Sequence, residues 1–160
     1  MSDPPQQPEE TAGAADAREA ARAALTAGAA GVPGADRARL EPIPIVGPDA
    51  EPAGWFVGLV DGERVIGFIQ LDANFVFHRA ATFGGPGQAA ADWLDPRRVL
   101  ELAGPAMKPG ERPGRPVLSY DAHPDRIGWI VPVASAEGRT RRLMVAGTSV
   151  FEMRPATSIG

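Results

Sequence analysis

The 160-residue chain contains no cysteine. That excludes disulfides, a thiolate nucleophile and cysteine-ligated zinc. Of its 16 basic residues only Lys108 is a lysine, and the net charge is −4. Nothing builds the basic field that phosphate backbones attract, so a nucleic-acid partner is not expected. No apolar run approaches the ~18 residues of a membrane span, so no membrane partner is expected either. The opening "MSDPPQQPEETAGAAD" has neither a basic flank nor an apolar stretch. It predicts no secretory signal and leaves a cytoplasmic location as the expectation.

What is present is equally biased. The chain has 19 glycines and 17 prolines, and arginine over lysine with abundant alanine is the codon habit of a GC-rich bacterial genome. Charge is uneven: residues 1–53 carry nine acidic groups against four arginines. Residues 1–15 offer almost nothing to bury and predict a disordered acidic tail. At Asp16, "DARE" sets a carboxylate at a helix N-cap with Glu19 three residues on, a capping-box pattern. Ala17, Ala20, Ala21, Ala24 and Leu25 then form a stripe of small residues that needs a sheet to lie on.

"RLEPIPIVG" reads as a strand broken by prolines, hence an edge strand or an extended approach to one. "GWFVGLV" and "ERVIGFIQLD" flank Asp61-Gly62, a strong hairpin signal because both central turn residues must accept positive φ. Alternation puts Trp55, Val57 and Leu59 on one face with Ile69 and Leu71. Phe56, Ile66 and Phe68 fall on the other. "FGGPGQ" over 83–88 reads as a linker, without the lysine of a phosphate-binding loop or the spacing of a dinucleotide loop. Asp95 and Pro96 then mark a helix N-cap and first turn, with Leu94 and Val99 placed as a hydrophobic staple and Gly104-Pro105 as the stop. "VLSYD" is a short strand and "DAHPDR" a turn.

Residues 54–77 and 128–151 align without gaps at an offset of 74, with six identities in 24 positions. Trp55 matches Trp129, and apolar positions match beyond the identities: Phe56 with Ile130, Leu59 with Val133, Ile69 with Leu143, Leu71 with Val145. Upstream, Pro42-Ile43 matches Pro116-Val117. The expected fold is therefore α+β, with two tandem αβββ-type repeats packed as antiparallel sheet with one helix each. The first spans 16–83, the second with its linker spans 84–155, and 156–160 form a tail. The plainer alternative is two ordinary hairpins in one α+β domain.

An alanine-rich helix followed by a hairpin and "IQLDANFVF" resembles the small α/β units called PepSY domains. Leu71-Asp72-Ala73 and Val76 match part of their last turn, while the usual Thr-Gly is missing and the second copy, "VAGTSV", lacks the aspartate. The resemblance implies a non-catalytic binding or inhibitory module, often outside the cytoplasm.

Side chains that could carry chemistry are few. Asp121, His123 and Asp125 could offer metal ligands from one loop, but a dedicated site needs more, and these residue types also suit turns. Ser119, Tyr120 and His123 could suggest a nucleophile and base, although triads are assembled by geometry and not by sequence proximity. His78 ends a strand. No catalytic residue, metal or cofactor is assigned. The leading expectation is a non-enzymatic protein-binding or assembly module, self-association included, using Phe56, Ile66, Phe68 and a partly exposed Trp93. The apolar face near Phe56 and Phe68 must be covered either by the second unit or by another chain. The alternative is a small enzyme or small-molecule binder with a pocket between the repeats, using His78, Tyr120, Asp121 and His123.

Overall fold

The computed structural model describes residues 11–28, 31–85 and 87–154. The tail expected over 1–15 lies outside these residues up to position 10, and so does the tail expected at 156–160. Thr11 to Gly13 lead directly into a helix. Helix α1 (Ala14–Thr26) begins two residues before the expected cap, behind Gly13, and no side chain caps it. Asp16 therefore sits in the first turn, where its charge faces the positive end of the helix. The reason is packing: a side-chain carbon added to Gly13 would lie 2.8 Å from the Trp55 ring, so the helix starts where the chain has no side chain. Ala14, Ala17, Ala21 and Ala24 form the buried stripe.

Four strands follow: β1 (Arg39–Val46), β2 (Pro52–Asp61), β3 (Arg64–Asp72) and β4 (Phe77–Thr82). A two-residue strand β5 (Gln88–Ala89) leads into the short helix α2 (Ala90–Leu94) and then α3 (Pro96–Ala103). The second half adds β6 (Arg112–Pro113), β7 (Val117–Tyr120), β8 (Ile127–Ala134), β9 (Thr140–Ala146) and β10 (Ser149–Glu152). The fold is α+β, with few helices and one mixed, mostly antiparallel sheet. Its order is β10-β9-β8-β7-β1-β2-β3-β4, with β5 on β3 and β6 on β8.

Two strand expectations are corrected. β1 is central, not an edge: it pairs along its whole length with β2 and in parallel with β7. Pro42 and Pro44 donate no N–H, so β1 can run a full ladder along one side only. The β7 side registers at the single pair Ile45↔Leu118. That seam also makes the sheet mixed where a wholly antiparallel one was expected. The first hairpin turns on Gly62-Glu63, since Asp61 already pairs with Arg64. Gly62 alone has positive φ there.

Residue parity in the first hairpin follows alternation except at one place. Trp55, Val57, Leu59, Ile69 and Leu71 pack under α1, whereas Phe56, Val60, Val65 and Phe68 belong to the opposite cluster. Ile66 changes sides. The register slips between Leu59↔Gly67 and Val60↔Val65, leaving Ile66 as the extra residue of a β-bulge. It packs with the α1 cluster and does not join Phe56 and Phe68.

The face carrying Phe56 and Phe68 is covered from within the chain. Phe56 is fully buried and Phe68 is 7% exposed. Trp93, expected to be partly exposed, is 8% exposed. Its ring stacks 5.8 Å from Phe56, and Phe83 lies 5.3 Å from Trp93. The 83–88 segment is thus no free linker. Phe83, partly buried, packs against the core, β5 bonds to β3, and Gln88 accepts a 2.6 Å hydrogen bond from the Trp93 indole. The same cluster holds Trp129, Val131, Leu143, Val145 and the α3 residues Val99 and Ala103. Helix α3 starts as expected, with Asp95 accepting from the Arg97 N–H at 3.0 Å and Pro96 in the first turn.

Covering Phe68 from within predicts how it responds to substitution. Phe68→Arg would place a second cation beside Arg79, whose guanidinium already lies 4.9 Å from the Phe68 ring. It should lower the unfolding free energy by about 3–5 kcal/mol in urea titration, by the scale of large core truncations and unpaired buried charge. An unchanged midpoint would contradict the packing described.

Candidate functional site

The polar residues of interest converge where the β3–β4 hairpin meets the loop between β7 and β8. Asp72 starts the approach: its carboxylate accepts from the Asn74 and Val76 N–H groups, closing the turn that launches β4. Phe75 takes φ 63° in that turn and stacks on Trp55. Strand β4 then presents His78 and Arg79.

Asp125 is the hub. His78 Nε2 lies 3.2 Å from its carboxylate, and Arg79 Nε lies 3.3 Å from the same oxygen. Arg79 also donates to Gln70 Oε1 at 2.7 Å and to the Asp125 carbonyl at 3.0 Å. Gln70, buried in an otherwise apolar strand, donates to the Pro124 carbonyl. His123 Nδ1 lies 3.2 Å from the Asp125 backbone nitrogen and 3.7 Å from its carboxylate. Behind this cluster lies a cavity of about 170 Å³, walled by Phe56, Phe68, Trp93 and Ile127, with Arg79 and Asp125 among its lining.

The structure therefore brings His78 and His123 to one carboxylate, and it does so through Asp125. Tyr120 is half-buried and packs against the main core. Asp121 takes part through its backbone, whose N–H bonds the Arg126 carbonyl. Ser119 is 1% exposed and its hydroxyl donates to the Val46 carbonyl at 2.6 Å, pinning β7 to β1. That bond gives it a structural task in place of nucleophilic attack. Among the described residues no group of three or more histidine, aspartate or glutamate side chains could hold a metal ion. Sequence reading missed Gln70 and Arg79, yet a signal for Gln70 existed: a glutamine in "FIQLD" falls on the inward side of an apolar strand.

A second set of residues stands out by exposure. Val76, Phe77 and Phe151 are the large hydrophobic side chains left exposed among the described residues, at 58%, 37% and 44%. Phe77 begins β4 and Phe151 lies in β10, the two ends of the sheet, and Val76 immediately precedes β4. On the β10 side, Phe151 pairs with Met144, which pairs with Ile130. An apolar row thus runs outward across three strands and stops at an exposed ring. Among the described residues no helix is long and apolar enough to cross a membrane.

No family model, curated protein or solved structure matches this chain.

The ion pairs fix the sign of the acid response. The Asp125 carboxyl is held below its ordinary range, first by the His78 hydrogen bond, which outweighs the opposing effect of burial, and then by the charge of Arg79. Glu111 is lowered in the same way by the Arg141 guanidinium, 2.8 Å away. A carboxyl with a depressed folded pKa contributes stability that is complete above the ordinary value, near ~4, and lost as pH falls through the lower folded value. Unfolding free energy should therefore fall on acidification below about pH 4, and Asp125→Asn should make that fall shallower. Equal slopes for the two proteins would remove Asp125 from this account.

Proposed function

We propose that the protein is a non-enzymatic binding or assembly module that takes up a protein strand at an open end of its sheet. The observation that carries this reading is the placement of Val76, Phe77 and Phe151 at the two end strands. A sheet edge offers unpaired N–H and C=O groups to another strand, and natural edges are usually blunted by charge. β4 carries His78 and Arg79, both tied to Asp125. β10 carries Phe151 at the end of its apolar row, with Glu152 paired to Arg141. β10 is accordingly the docking edge. The expectation of a protein partner or self-association is kept, but moved from Phe56, Ile66, Phe68 and Trp93, which pack inside this chain, to the sheet ends.

The two-unit reading supports the same picture. Trp55 pairs with Leu71 and with Pro44, and Trp129 pairs with Val145 and Leu118, the same registers at an offset of 74. Each tryptophan faces the helices of its own half, and β1 runs parallel to β7. One unit turned over against the other would have these properties. The PepSY-like reading rests on the turn at Leu71-Asp72-Ala73, and a bacterial, cytoplasmic setting rests on composition. A second reading, a small-molecule binder, is favoured by the convergence of His78 and His123 on Asp125 beside the 170 Å³ cavity.

Sedimentation velocity over a concentration series tests the leading reading. The wild-type protein should associate reversibly as concentration rises, and Phe151→Lys should stay monomeric with an unchanged melting temperature. A wild type that remains monomeric into the high micromolar range, or a variant that associates equally well, would contradict docking of a second copy at β10.

A further inference from the structure

The seam between β1 and β7 holds a cleft of about 450 Å³ that none of the residues discussed above as a site explains. Its origin is legible in the backbone. The two strands pair at Ile45↔Leu118, and a parallel ladder continued backward would set Ile43 beside Pro116. It does not continue, because Pro42, Pro44 and Pro116 have no N–H to give. The strands stand apart instead, and the gap is lined by Ile43, Val117, Leu94 and Pro116 with Trp129. Pro42-Ile43 and Pro116-Val117 are positions related by the 74-residue offset, so both halves contribute like residues to it.

One charged residue lines this apolar cleft, the exposed Arg115. Arg115 makes no ion pair with any described residue. A volume of this order suits a single small molecule, within the ~300–1,000 Å³ range of ligand pockets. Apolar walls with one unneutralised cation match a hydrophobic body ending in one anion. We propose that the cleft binds a hydrophobic carboxylic acid of medium chain length, its chain along Ile43, Val117 and Trp129 and its carboxylate on Arg115.

Decanoate, kept below its micelle concentration, is the probe, with decanol and decylammonium as the neutral and cationic comparisons. Calorimetry should show saturable decanoate binding at one site, stronger than decanol by roughly tenfold, the scale of a charge-assisted contact. Arg115→Glu, an exposed substitution that leaves the core intact, should remove that preference and turn it toward decylammonium. Arg139→Glu, also exposed but outside the cleft, should change neither. In heteronuclear NMR the perturbed amides should be those of Ile43, Val117 and Trp129, with Trp55 unmoved. Absence of saturable decanoate binding, an Arg115→Glu variant with wild-type preference, or perturbations centred on Trp55 would each overturn the proposal.

Discussion

The indole of Trp93 is the contact on which the rest of the structure depends. It stacks nearly parallel to Phe56, at an interplanar angle of 8°, and Phe83 closes on it from another side. Phe68 completes the group, 4.8 Å from Phe56 and 5.8 Å from Phe83. At the same residue the backbone carbonyl accepts a 2.8 Å bond from the Trp129 indole. One five-residue helix therefore ties the first hairpin to the second. Aromatic pairs of this kind add ~0.5–1.5 kcal/mol each beyond the area they bury. Both indole donors in this group are satisfied, by Gln88 and by Trp93, as burial requires.

The second constraint is a deficit of donors. Prolines at 42, 44 and 116 deny β1 and β7 a ladder, so the two halves of the sheet meet at one backbone pair and one Ser119 hydroxyl bond. The halves are held mainly by side chains, above all by the Trp93 group. The same deficit opens the cleft at the seam. The sheet ends are governed by a different balance. At β4, charge gathered around Asp125 guards the edge, and at β10 an apolar row is left to run out at Phe151.

Much of this was legible in the letters where local chemistry decides. The hairpin of β2 and β3, the alternation of Trp55, Val57 and Leu59 against Phe56, and the Asp95-Pro96 helix start are all fixed by short-range geometry. The alanine stripe of α1 was readable too, because a helix repeats its face every three to four residues. What was not legible depends on contacts far apart in sequence. A proline-rich strand looks like an edge until one knows that its other side meets β7 at a single backbone pair. Ile66 keeps its parity on paper, and only the bulge opposite Leu59 and Val60 moves it. Trp93 has polar neighbours in sequence, and its burial follows from the Phe56 and Phe83 rings it meets. Asp125 could be noticed as a loop carboxylate, but its meeting with His78 and Arg79 joins segments more than 40 residues apart.

The two halves of the sheet share one core organised around Trp93 and should unfold together. Native-state hydrogen exchange tests it most directly, since cooperative units open with their own free energies. Slowly exchanging amides of β2 and β3 and those of β8 and β9 should report the same opening free energy, equal to that of global unfolding. If the β8–β9 amides exchanged through an opening of much lower free energy while β2 and β3 stayed protected, the halves would be separate units and the account would fail.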